Sequence, residues 1–142
     1  MLERTLAMIK PDAVAKGAVG PIITMMEEGG LKVVALKMTR LTHAQAEAFY
    51  LVHRERPFYK DLCNFMSSGP IVALVLEGEN AIKRYRELMG ATDSRKAVPG
   101  TIRHKCGTDN EKNAVHGSDA PETATVEICF HFSDAELRAL AG

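Results

Sequence analysis

Ile71-Val72-Ala73-Leu74-Val75-Leu76-Glu77 is an unbroken apolar run closed by a carboxylate, and the turn Ser67-Ser68-Gly69-Pro70 leads into it. Such a run reads as a strand covered on both faces, and it is far too short to cross a bilayer. Upstream, Tyr59 to Met66 reads as a helical stretch. Before it, Pro57 ends a helix that the capping box Thr42-x-x-Gln45 begins. Leu31 to Leu41, rich in Val and Leu, reads as a strand with Val34, Leu36 and Met38 on one face. Gly20-Pro21 opens a helix through Met26, which Gly29-Gly30 ends. Thr5 to Ile9 reads as a strand closed by Lys10-Pro11-Asp12.

Downstream, Asn80 caps a helix whose Ile82, Tyr85 and Met89 share one side, and Gly90 stops it. Ala91 to Val115 is polar and shows no period, a length at which loops are usually functional or disordered. A short strand precedes His116. Ser118 or Asp119 begins a further helix with Pro121 in its first turn, and the capping box Ser133-x-x-Glu136 starts a C-terminal one. With the helical hairpin after Thr42 set aside as an insertion, the order is βαββαβ. That order predicts an α+β, ferredoxin-like sandwich: a four-stranded antiparallel sheet with helices on its face and one long loop. Residues 1–142 make one domain of ordinary size.

Apolar residues are 46% of the 142 and charged residues 25%, a globular balance. Lys plus Arg and Asp plus Glu are 18 each, so no bulk basic field serves nucleic acid or an anionic membrane. The strands carry Met8, Val34, Leu36, Val72 and Leu74 and lack the aromatic stacking pattern of RNA-binding sandwiches, so no specific nucleic acid is expected. Cys63, Cys106 and Cys129 are odd in number and form no CxxC, which fits reduced, buried thiols and no structural zinc. Glu3, Arg4 and Lys10 interrupt any apolar signal core, and the cytoplasm is the expected location.

Chemistry is concentrated in Asn113-Ala114-Val115-His116-Gly117-Ser118-Asp119. A histidine stands ahead of a glycine and a helix start, where free amides and a dipole end favour phosphate. Gly117 leaves room beside the imidazole. Glu127 shares an otherwise apolar helix face with Ala124 and Ile128, so its carboxylate points inward and needs a partner. A ring nitrogen of His116 or the hydroxyl of Ser118 would serve, and such a partner fixes the tautomer. From the residues alone, a surface-loop histidine before an ordinary cap is the favoured reading. Thr92, Arg95, Lys96 and Pro99-Gly100-Thr101-Ile102-Arg103 suit a phosphate-binding rim, with Arg86 one turn after Ile82, or else a solvated charged loop. Lys10 closes a strand, and Phe58 is either core or a stacking plate. Neither Walker A nor GxGxxG occurs.

Asn113 to Asp119 is similar to the active-site signature of nucleoside diphosphate kinases. ERTLAMIKPDAV, RPFYKDL, FMSSGPIVALVLEGENAI, MGAT and PGTIR resemble the same family in the same order, from Glu3 to about Phe132. The resemblance implies reversible ping-pong transfer of a terminal phosphoryl, mainly from ATP, to nucleoside diphosphates through a phosphohistidine on His116. It implies that Lys10, Arg86, Thr92 and Arg103 bind nucleotide phosphates, that Asn113 contacts the ribose and that Phe58 stacks the base. Tyr50 falls near the phosphate, and Ser118 and Glu127 hold the imidazole. Mg2+ is implied with the nucleotide, and so is a homo-oligomer, tetramer or hexamer, built from dimers. Asp93-Ser94 stands where Asn-Pro is frequent and Cys106 where an aromatic is common, so the loop's part in subunit contacts is not carried over.

Overall fold

The computed structural model describes residues 1–141. In chain order it runs β1 (Leu2–Ile9), α1 (Pro11–Ala15), α2 (Val19–Glu28), β2 (Lys32–Thr39), α3 (His43–Phe49), α4 (Tyr59–Met66) and β3 (Ile71–Glu79). It continues with α5 (Ala81–Met89), α6 (Ile102–Cys106), β4 (Val115–Gly117), α7 (Pro121–His131) and α8 (Asp134–Ala141). The four strands pair antiparallel in the order β2-β3-β1-β4. The apolar run is therefore a central strand, buried from Ile71 to Leu76 because each of its faces meets a core. On one face, Val72, Leu74, Leu76, Ala7 and Ile9 pack with Ile22 and Met26 of α2 and Tyr85 and Met89 of α5. On the other, Leu6, Met8, Ala73 and Val75 pack with Ala46 of α3, Cys63 and Met66 of α4 and Ile128 of α7. So α2 and α5 form the ferredoxin-like layer, and the inserted α3–α4 pair with α7 fills the opposite side.

Capping behaves as the chemistry dictates in two places. Thr42 Oγ1 accepts from Gln45 N–H at 3.1 Å while Gln45 Oε1 accepts from Thr42 N–H at 2.9 Å. Ser133 and Glu136 make the same reciprocal pair, both bonds 3.0 Å. Asn80 differs from expectation. It precedes α5 in a left-handed conformation, φ 51, with no capping bond from its side chain. Glu3 does the work instead, its carboxylate accepting from Ile82 N–H at 2.9 Å and tying β1 to α5.

Other expectations also need correction. Val34, Leu36 and Met38 do not share one face. A bulge between Val33 and Ala35 turns Val34 and Ala35 toward the α3–α4 side, and Leu36 and Met38 lie on the other side, 48% and 60% exposed, on an edge strand. Lys10-Pro11-Asp12 does not merely close β1: Pro11 and Asp12 open α1, a helix too short to show a period. Helix α3 stops at Phe49 and a 3₁₀ turn, Leu51–His53, intervenes before Pro57. Ala91 to Val115 is not featureless, since it holds a 3₁₀ turn at Ser94–Lys96 and α6, whose Ile102 is wholly buried. Cys63 and Cys106 are buried, but Cys129 is exposed on the outer side of α7.

Strand β4 contains His116 rather than preceding it, and Met8 lies directly across from His116 on β1. Cross-strand partners share a face, so His116 points with Leu6 and Met8 toward α3 and α7. Gly117 points to the α5 side. A Cβ there would stand 2.7 Å from Met89 Cε and 2.8 Å from the Tyr85 ring, so the glycine makes room for α5 rather than for a group beside the imidazole. We expect Gly117→Ala to destabilise the fold by about 1–3 kcal/mol, the range for an overpacked core. Urea denaturation checks this, and an unchanged midpoint would count against the close packing of α5 on β4.

Candidate active site

Helix α7 begins after Ala120, with Pro121 at its first position and Thr123 Oγ1 accepting from Ala120 N–H at 3.1 Å. Ser118 does not cap it. Its N–H donates to Leu6 O at 3.2 Å and its Oγ accepts from Leu6 N–H at 3.3 Å, extending the pairing of β4 with β1. The buried Ala124 and Ile128 hold one side of α7 on the sheet, and Glu127 comes inward with them. Glu127 Oε1 then accepts from His116 Nε2–H at 2.9 Å and from Ser118 Oγ–H at 2.8 Å. An ionised carboxylate only accepts, so the ring proton is assigned to Nε2 and the lone pair to Nδ1. Tyr85 Oη–H donates to His116 O at 3.2 Å and holds the backbone from the other side of the sheet.

Two buried cations bond to the segment that leads into the ring. Lys10 is 7% exposed and donates to Asn113 Oδ1 at 2.8 Å. Burial, then the Arg103 charge, lowers its pKa to about 8, against the pull of Asp12 and Glu111. Arg103, also 7% exposed, donates to three carbonyl oxygens: Asn113 O at 3.3 Å, Gly90 O at 3.1 Å and Val115 O at 2.9 Å. Burial lowers its pKa too, yet a guanidinium stays charged. Between them Ala114 takes φ 72 in a three-residue turn closed by Val115 N–H to Asn113 O at 2.8 Å. A non-glycine there costs roughly 1–3 kcal/mol. Asp12 Oδ2 offsets this by accepting from Ala114 N–H at 3.1 Å. Asn113 is locked by Nδ2–H donation to Thr92 O at 2.9 Å and Asn110 O at 3.2 Å.

A cavity of about 540 Å³ joins these groups. Of the residues expected from sequence, Lys10, Tyr50, Phe58, Arg86, Thr92, Arg103, Asn113, His116 and Glu127 all line it; Ser118 lies behind Glu127. Phe58 is 48% exposed at the mouth, which rules out the core alternative. The Tyr50 hydroxyl is buried without a partner and burial raises its pKa, so it is a neutral phenol. Sequence reasoning missed His53, whose ring lies 5.5 Å from Phe58, and the pocket side chains of Asn110, Glu111, Asp119 and Thr123. Only Asp119, beside His116 in the same segment, offered a signal. A larger and more open depression of about 1230 Å³, beside Asp12, Lys16 and Asp61, contains none of the expected residues.

This cavity sets a partly buried imidazole–carboxylate pair together with two buried cations, and comparisons with known proteins give the chain its family. The family model described as nucleoside diphosphate kinase covers residues 3–137. The chain belongs to the nucleoside diphosphate kinase family. It is similar to the nucleoside diphosphate kinase of Bordetella pertussis, 56% identical over 138 residues that span 97% of this chain and 98% of that one. The Aquifex aeolicus nucleoside diphosphate kinase superposes with a TM-score of 0.93 at 56% identity, covering 96% of this chain and 99% of that one. A halophilic nucleoside diphosphate kinase from Halobacterium salinarum, solved in complex with CDP, gives a TM-score of 0.91 at 43% identity over 96% of this chain and 91% of that one. Members of this family are phosphotransferases, and a floor of buried cations fits the anions that such enzymes handle.

In a nucleoside diphosphate kinase fold that floor is held at a cost to stability. A folded pKa for Lys10 of about 8, below its ordinary 10.5, means the unfolded chain holds the proton more tightly. The penalty is fully present below pH 8, about 3 kcal/mol at most, and fades as pH rises toward 10.5. We therefore expect Lys10→Met to raise stability at pH 7 by roughly 1–3 kcal/mol and to abolish ADP binding. Denaturation and ADP titration check the two halves; a less stable variant that still binds ADP would contradict both.

Proposed function

We propose that the chain catalyses reversible ping-pong transfer of the terminal phosphoryl group from a nucleoside triphosphate, mainly ATP, to nucleoside diphosphates. His116 Nδ1 attacks the γ-phosphorus. The N–P bond forms as the bond to the β–γ bridging oxygen breaks, and the diphosphate leaves. A second diphosphate takes the phosphoryl by the reverse steps. The observation that carries this reading is the Glu127–His116 hydrogen bond at 2.9 Å, which puts the proton on Nε2 and leaves Nδ1 unbonded at the cavity. As the lone pair is spent, charge builds on the ring, and Glu127 stabilises it.

Lys10, Arg103, Arg86 and Thr92 are the groups assigned to the phosphates, where charge in flight is the main demand. Arg86 is exposed and its side chain makes no hydrogen bond or ion pair among the described residues, so it is free to meet a ligand. The unpartnered Tyr50 hydroxyl suits an oxygen of the phosphoryl. Phe58 at the mouth offers a face for the base, and stacking that ignores base edges makes for broad base use. Asn113 is assigned to the ribose, although both its amide protons are already bonded within the protein. No group of three or more His, Cys, Asp or Glu that could hold a metal occurs among the described residues. That fits Mg2+ arriving with the nucleotide, because this ion keeps phosphate and water ligands and needs only one or two carboxylates. Asp119, with one oxygen bonded to Thr123 at 2.7 Å, would hold it, and the ion would neutralise charge on the phosphates.

A homo-oligomer, tetramer or hexamer of dimers, fits the exposed Leu36 and Met38 on the edge strand. A cytoplasmic location is part of the same proposal; no helix among the described residues is long and apolar enough to cross a membrane. Incubation with γ-labelled ATP tests the reaction. We expect acid-labile, base-stable label on the native chain, chased off by GDP and absent from His116→Ala. An unlabelled native chain, or a labelled His116→Ala, would defeat the mechanism.

A further inference from the structure

One hydrogen bond does not fix a ring. Glu127 locates the His116 imidazole at Nε2, but one bond does not by itself stop the ring from tilting away and loosening that contact. The end of α3 supplies the missing constraint. Phe49 meets the imidazole edge to face, centroids 5.4 Å apart at 72°, and Tyr50 stands at 6.0 Å and 87°. Phe49 does not line the cavity, so it reaches the chemistry only through His116.

Phe49 is itself clamped from the end of α7, by Phe130 at 5.1 Å and His131 at 5.3 Å. His131 lies one helical turn beyond Glu127, is 7% exposed and has Nε2 buried without a partner. An imidazole so placed bears a desolvation cost that packing alone does not explain. It is held neutral. Burial, then the neighbouring His116 on β4 and the Lys37 charge on β2, outweigh Glu127 on its own helix and bring its pKa to about 4. A neutral His131 packs as an aromatic plate and leaves Glu127 to its two short bonds.

We propose that Phe49, backed by His131, is a positioning residue that sets the plane of the His116 imidazole and so aims Nδ1 into the cavity. The proposal rests on the phosphohistidine reading above. Single-turnover labelling by γ-labelled ATP, ADP affinity and the ¹⁵N shifts of the His116 ring test it on the full chain. We expect Phe49→Leu to slow labelling about tenfold, short of the hundredfold a 1 Å misplacement can cost, while ADP affinity holds and the ring shifts move toward tautomer averaging. His131→Ala should do the same, and it carries the comparison if Phe49→Leu does not fold. Phe49→Tyr and His131→Phe should restore the native rate at neutral pH. Labelling of Phe49→Leu at the native rate, or affinity lost in step with rate, overturns the proposal. An unlabelled native chain defeats the phosphohistidine reading instead. The ring shifts need no nucleotide, and shifts unchanged in both Phe49→Leu and His131→Ala would end the positioning role on their own.

Discussion

Oε1 of Glu127 is the point on which the site depends, because one partly buried oxygen accepts from both His116 and Ser118. A carboxylate drawn this far into a protein is tolerated only with full partners. Here those partners belong to β4 and the residue after it, and Ser118 is in turn bonded to β1 through Leu6. The helix that brings the charge and the strand that presents the ring are thus joined twice. Tyr85 fixes the same strand from the opposite face of the sheet. The position of the imidazole is therefore a property of the whole sandwich, and a flexible loop could not have set it.

Much of this was legible where one residue type has one physical reading. The run from Ile71 to Leu76 required cover on both faces and received it. The reciprocal pairs Thr42–Gln45 and Ser133–Glu136 marked helix starts, and both formed. Glu127 on an apolar face demanded a partner, and His116 and Ser118 are its partners. What could not be read depended on contacts distant in sequence. Asn80 looked like a cap, but Glu3, far upstream, accepts the helix amide. A bulge in β2 moved Leu36 and Met38 out of the core, and no periodicity announces a bulge. Phe58, readable as core or plate, opens on the cavity, and Phe49, which no local pattern marks, packs on the His116 ring.

Electrostatics and stability pull in opposite directions at the cavity floor. Lys10 and Arg103 are both buried, burial disfavours the charged form of each, and the Arg103 charge adds to the pressure on Lys10. The strained turn at Ala114 sits between them. Local cost of this kind gathers where function needs groups held ready, and the two-sided core offsets it.

Arg103 shows what that arrangement means for change over time. Its guanidinium ties together the loop after α5 and the entry to β4 through three carbonyls, while the same side chain borders the cavity. Shape and charge are thereby vested in one residue, and neither can drift without the other. Arg86 borders the same cavity with no such obligations to the backbone. Change at Arg103 therefore disturbs backbone and cavity together, whereas change at Arg86 alters the cavity border alone.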